Sequence, residues 1–284
     1  MTRFLLCLAL AGAALAGCSK GGDDGKGVTI DLAGAAQGGA ALPRIYGARD
    51  PARPLVVLDP GHGGKDPGAT SPYGGRQEKN VTLAVARAVR DALAASGRVR
   101  VAMTREDDRY LILHDRYEIA RHMGASLFVS IHADATPYND GARGATVYTL
   151  SEVASDKEAA QLAQQQNAAD AIGGATLSQD AGVNRVLIDL AQRESMDVSA
   201  DFAGLLHREG APYFPFRPDW HRFASLAVLK APDVPSILFE TGYLTNNIDA
   251  AYIESPEGQR QIAQGMKSAI ETHFARRLYR IASR

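Results

Sequence analysis

From Pro54 onward, short apolar runs alternate with amphipathic stretches. The run "LVVLD" (55–59) is continuously apolar up to its final aspartate, as in a strand buried on both faces. Residues 78–96 place Val81, Ala84, Val85, Ala88, Val89, Ala92 and Leu93 on one helical face, and Gly97 follows as a stop signal. "VRVAMT" (99–104) predicts a strand, and "LHDRYEIARHM" (113–123) a helix with Leu113, Ile119 and Ala120 inward. "SLFVSIH" (126–132), "ATVYTL" (145–150) and "SILFE" (236–240) predict three more strands, and residues 257–278 a closing amphipathic helix. The alternation predicts an α/β fold: a single-domain, twisted, mostly parallel sheet with helices on both faces. The segment 151–225 breaks the alternation. It is rich in Ala and Gln and reads as a helical insertion, and insertions of this size commonly carry function or control.

Composition narrows the class. The 284 residues are 45% hydrophobic and 22% charged, enough apolar mass for a sizeable core. The formal net charge of −1 offers no basic field for nucleic acid. Residues 1–17 carry Arg3 and then an apolar run ending in small residues, the pattern of a secretory signal. "LAGC" (15–18) resembles a bacterial lipobox. That resemblance implies cleavage before Cys18, a lipid anchor on Cys18 and, with Ser19 following, the outer membrane. Residues 18–53, rich in Gly and Ala, read as a flexible tether, and residues 54–280 as the folded domain. No targeting domain is expected before residue 54. The only cysteines are Cys7 and Cys18, so a metal must be held by His, Asp or Glu.

In open α/β sheets, sites form beyond the carboxyl ends of strands. Four chemically active residues occupy such places. His62 follows "LVVLD", His132 ends "SLFVSIH", Glu240 ends "SILFE", and Glu78 opens the helix after the first strand. Singly, each has an ordinary structural explanation, such as a turn residue or a carboxylate at a helix N-terminus. Jointly, two imidazoles and a carboxylate suit a catalytic zinc set with a fourth position for water. A further carboxylate beside them could accept the water's proton and pass it to a leaving amine. The glycines of "GHGGKDPG" do not continue into a phosphate-binding G-x-x-x-x-G-K-[ST] pattern, and no G-x-S-x-G serine elbow is present.

The blocks "LDPGHGGKDPGA", "QEKNVTLAVA", "SLFVSIHADA", "ARGATVYTLS" and "KAPDVPSILFETGYLTN" together resemble the zinc-dependent N-acetylmuramoyl-L-alanine amidases of the amidase-3 type, in the family's order. The resemblance implies Zn2+ held by His62, Glu78 and His132, with Glu240 as the catalytic carboxylate. Arg105 and Arg116 match family positions and read as orienting residues. The implied substrate is peptidoglycan, cut between N-acetylmuramic acid and the L-Ala of the stem peptide, at a periplasmic, lipid-anchored location. The insertion resembles the regulatory region of division amidases, where a protein activator acts. The inhibitory glutamate of those relatives is matched here by Gln166, a poorer zinc ligand. Autoinhibition is therefore expected to be weaker or to use steric cover by the helix, and removal of residues 155–210 to raise activity only modestly. Two rival readings stand beside this one: a zinc peptidase cutting within the stem peptide, and an inactive peptidoglycan-binding lipoprotein.

Overall fold

The computed structural model describes residues 42–136, 141–173 and 185–282. Cys18 and its lipidation lie outside the described residues. Seven strands form one sheet: β1 (Tyr46–Gly47), β2 (Leu55–Pro60), β3 (Arg100–Met103), β4 (Leu127–Asp134), β5 (Ala145–Leu150), β6 (Phe216–Ala224) and β7 (Ser236–Tyr243). The helices are α1 (Glu78–Ser96), α2 (Leu113–His122), α3 (Lys157–Asn167), α4 (Ala169–Gly173), α5 (Arg185–Gly210), α6 (Asn247–Ile253) and α7 (Pro256–Ala282). The strand order is β1-β3-β2-β4-β7-β5-β6. The β3-β2, β2-β4, β4-β7 and β5-β6 pairs are parallel. The β1-β3 and β7-β5 pairs are antiparallel. The expected α/β class with a mostly parallel sheet is what the chain adopts. Among the described residues, no helix is long and apolar enough to cross a membrane.

The central strands β2, β4 and β7 are buried at every position, because helices cover both faces of the sheet. On one face, Val81, Val85 and Val89 of α1 meet Phe202 and Leu206 of α5 and Ile262, Met266 and Ile270 of α7. On the other, Leu113 and Ala120 of α2 pack with Leu162 and Ala163 of α3 and with Val228 and Leu229 of a 3-10 turn. Gly97 ends α1 in the left-handed conformation (φ 63°), as the sequence suggests.

Three expectations need correction. The span 18–53 is not tether throughout. Tyr46–Gly47 adds an antiparallel edge to β3, and the Tyr46 ring lies between the guanidinium groups of Arg44 and Arg90, 4.9 Å from each. The segment 151–225 is not wholly helical, since it ends in β6. That strand's Pro218 and charged residues hide its pattern, and a sheet edge tolerates both. Nor is the segment a detachable insertion: α3 and α5 supply core residues to opposite faces of the sheet. Deleting residues 155–210 would remove Phe202 and Leu206 from one layer and Leu162 and Ala163 from the other. A change in activity after that deletion could not be assigned to relief of inhibition.

Candidate metal and catalytic site

The parallel register brings three sequence-distant ends together. β2 delivers His62, β4 delivers His132, and the first residue of α1 is Glu78. One nitrogen or oxygen from each lies within 4.8 Å of the others, and all three residues are buried. Glu78 Oε1 is 3.0 Å from His62 Nε2 and 3.1 Å from His132 Nδ1. The Glu78 carboxylate is aimed by the backbone: Ala133 N–H donates to Oε1 at 3.1 Å and Ala69 N–H to Oε2 at 2.9 Å.

His62 is placed by force from several sides. Its backbone is left-handed (φ 60°), which costs a non-glycine residue energy unless the surroundings hold it. Two buried arginines grip the carbonyls of the turn. Arg105 donates to Pro60 O at 2.9 Å and Gly61 O at 2.7 Å, and Arg116 to Pro60 O at 3.0 Å and His62 O at 2.9 Å. Arg116 is itself anchored to Asp59 at 3.0 Å. Burial works against the Asp59 carboxylate, yet Arg116, Thr104 and Ser130 hold its pKa below the ordinary value. Both arginines thus touch the backbone of the turn that carries His62, with no hydrogen bond to the three donor side chains among the described residues.

Two glycines of the opening loop serve close approach. A Cβ on Gly61 would lie 2.2 Å from a ring carbon of His132. A Cβ on Gly68, whose φ is 64°, would lie 2.6 Å from Glu78 Oε2 and 2.7 Å from His62 Cδ2. Both would push the three donors apart.

The cluster fits a divalent metal. Its donor set is two imidazoles and a carboxylate, all of types that zinc takes. Its two Glu78–histidine spacings, 3.0 and 3.1 Å, are close to the roughly 3.3 Å separation set by tetrahedral bonds of about 2.0 Å. His62 Nε2 is buried and lies 3.0 Å from Glu78 Oε1, yet it has no hydrogen-bond partner, so a polar atom aims inward at the carboxylate without a hydrogen bond. Asp66 Oδ2 is 2.8 Å from His62 Nδ1, the support that metal-binding histidines usually have. The electrostatics favour a cation. Burial depresses the His62 pKa, but Glu78 and Asp66 overcome it and raise the group to about 9. His132 goes the other way, lowered chiefly by burial, with His62 adding to that effect.

Glu240 pairs in register with His132 across β4-β7 and with Thr146 across β5-β7. It is completely buried, and neither carboxylate oxygen has a hydrogen-bond partner. Burial, with Asp134 and Glu78 nearby, pushes its pKa well above the carboxylate range. A buried, unpartnered carboxyl group of this kind is well suited to carrying a proton. Sequence reasoning missed Asp66 and Asp134. Asp134 sits two residues past His132 on the same strand, and its pKa too is raised, chiefly by burial. Alternation along "HAD" was the available signal.

Gln166 is half-buried in the last turn of α3 and has no hydrogen bond to the cluster among the described residues. Its neighbour Asn167 instead ties α3 to the turn before β7, donating to Ser225 O at 2.8 Å and accepting from Ala227 N–H at 2.8 Å.

A family model described as Amidase_3, N-acetylmuramoyl-L-alanine amidase, matches residues 56–272. The N-acetylmuramoyl-L-alanine amidase AmiC of Neisseria meningitidis serogroup B is 40% identical over 233 residues, covering 82% of this chain and 55% of that protein. AmiA of Escherichia coli K12 is 36% identical over 222 residues, covering 78% of this chain and 76% of its own length. The solved catalytic domain of CwlV, an amidase from Bacillus (Paenibacillus) polymyxa var. colistinus, superposes with a TM-score of 0.58 at 26% identity, over 78% of this chain and 98% of that one. The chain spans about half the length of two AmiC relatives, 55% and 54%. With the family model covering most of its length and all the matched blocks in order, the chain belongs to the Amidase_3 family of N-acetylmuramoyl-L-alanine amidases.

Proposed function

We propose that this chain is a zinc-dependent peptidoglycan amidase that hydrolyses the bond between the lactyl group of N-acetylmuramic acid and the L-Ala of the stem peptide. The observation that carries the reading is the His62–Glu78–His132 donor cluster lying in register with the unpartnered Glu240. His62, Glu78 and His132 would hold the metal, with Asp66 fixing the His62 ring so that Nε2 faces inward. When bound, zinc supplies Lewis acidity toward a carbonyl oxygen and makes water a better nucleophile near neutral pH. Glu240 does the proton work: one carboxylate oxygen takes the proton of the attacking water and delivers it to the departing L-Ala nitrogen. Its raised affinity for a proton suits the second half of that role.

The setting follows the same reading. An exported lipoprotein anchored at Cys18 would work in the periplasm, on the outer-membrane side of the wall, in wall remodelling or daughter-cell separation. A protein activator would act on the segment 151–225, where Gln166 in place of a carboxylate makes autoinhibition weaker or leaves it to steric cover by the helix.

The test is a digest. Purified peptidoglycan incubated with the zinc-loaded chain should release intact stem peptides with a free L-Ala amine and leave peptide-free glycan, identified by mass spectrometry. Products cut within the stem would replace the amidase by a peptidase. An inert polymer with zinc bound would leave a binding protein.

A further inference from the structure

A second polar cluster stands beside Glu240, and the chemistry above does not use it. Arg217 and Arg222 project from the edge strand β6, and Tyr243 closes β7 three residues beyond Glu240. All three converge on Glu158 in the first turn of α3. Arg217 donates to Glu158 Oε1 at 2.6 Å and Oε2 at 3.3 Å, two contacts in the manner a guanidinium makes with a carboxylate. Arg222 donates to Oε2 at 3.2 Å, and the Tyr243 hydroxyl donates to Oε1 at 3.0 Å. Arg217 also donates to the Tyr243 hydroxyl and lies over its ring, 5.5 Å from the centroid.

The position is suggestive. Past a register shift that sets two residues of β4 against three of β7, Tyr243 pairs with Asp134 beyond the His132–Glu240 pair, so the cluster is the next station along the same strand ends. Three strand residues span about 10 Å. An extended peptide advances at most about 3.5 Å per residue, so the second or third residue past a bond broken at Glu240 reaches the cluster.

The two sides of the ion pair also differ in origin. The Arg217 side chain is 14% exposed and built into the sheet edge, whereas that of Glu158 is 41% exposed. Arg222 keeps Asp156 at 2.7 Å and Asp219 at 3.5 Å when Glu158 is set aside. Exchanging one carboxylate for another would therefore leave no guanidinium without an anion, which is the condition for a low cost.

We propose that Arg217 and the Tyr243 hydroxyl form the seat for a carboxylate of the stem peptide, and that Glu158 fills the seat until substrate displaces it. The proposal rests on the amidase reading and specifies which part of the substrate is recognised.

The experiment compares two soluble substrates on the full zinc-loaded chain: a MurNAc-tetrapeptide with free carboxyl groups, and the same compound with those groups amidated. Arg217→Gln should raise KM for the free acid about tenfold or more, with kcat little changed and the amidated compound unaffected. Glu158→Gln should lower KM for the acid severalfold and leave the amidated compound unchanged, because a neutral amide competes poorly for a guanidinium. Equal effects on both substrates, or none, would overturn the proposal and leave a structural ion pair. Glu158→Gln keeps the test decisive even if Arg217→Gln fails to fold. If the wild-type chain releases peptide from neither compound, the amidase reading fails instead. Calorimetric titration with the free tetrapeptide and its amide then tests the seat separately: preference for the acid, lost in Arg217→Gln, supports it, and equal binding overturns it.

Discussion

His62 and His273 are buried to a similar degree, at 9% and 4% exposure, and each leaves Nε2 without a hydrogen-bond partner. Their chemistry diverges. Around His62, Glu78 and Asp66 overcome the cost of burial and raise its pKa to about 9. His273, on α7, lies edge-on to Phe202 and Phe274, with ring centroids 5.4 and 4.9 Å away. Burial is the main influence there and Arg277 adds to it. The weaker pull of Asp201 does not compensate, and the group falls to about 4. An orphaned imidazole nitrogen in the interior is therefore not by itself a site. What separates the two regions is the company each ring keeps: a carboxylate from its own loop and one from α1 in one case, phenyl rings in the other.

The sharpest way to break this contrast is to remove the chemistry from one region and watch both. Glu240→Gln should bind zinc with unchanged stoichiometry and lose turnover by about a hundredfold to ten-thousandfold. His62→Ala should lose the metal itself, measured by elemental analysis after dialysis. Near-wild-type turnover in Glu240→Gln would end its assignment as the proton carrier. His273→Leu, measured alongside, should keep both zinc and turnover. A smaller effect is expected from Asp66→Asn. That change keeps the shape but removes the charge behind His62 Nδ1, and it should weaken zinc affinity about tenfold to a hundredfold in a chelator competition. Unchanged affinity would reduce Asp66 to a turn residue.

Much of this contrast was legible before any coordinates. His62, His132 and Glu240 each follow an apolar run, and a parallel sheet carries such positions to one edge regardless of sequence separation. The backing residues were less visible because their cues are short. Asp66 lies in a glycine-rich loop where an aspartate commonly serves a turn. Asp134 continues a strand whose reading stops at His132. β6 was missed because its Pro218, Asp219 and two arginines suppress the apolar signal at a sheet edge, so the seat around Arg217 stayed hidden as well. β1 is two residues long and owes its place to Tyr46, whose hydroxyl also reaches Glu106 at 2.9 Å. Periodicity cannot report an element that short. His273 shows the converse limit: a histidine in an amphipathic helix gives no sign of whether it faces water or phenyl rings.

The smallest effect concerns His273 and acid. An exposed histidine titrates near 6.5, as in the unfolded chain, while His273 in the folded chain titrates near 4. Between those values the unfolded chain holds a proton that the native chain excludes, so native stability falls as the pH drops from about 6.5 to about 4. The full loss is about 3 kcal/mol, complete below pH 4. His62 works in the opposite sense in the metal-free chain: its raised pKa stabilises fully below about 6.5, and that contribution disappears as the pH rises through about 9. Urea unfolding of metal-free wild type and His273→Leu at pH 7.5 and 4.5 separates the two. Any packing change from the leucine is the same at both pH values and cancels in the difference. His273→Leu should lose less stability than wild type on acidification, by up to the stated amount, while the alkaline decline set by His62 persists in both. An identical acid loss in the two proteins would mean that His273 is already protonated in the fold, with Asp201 outweighing the phenyl rings around it.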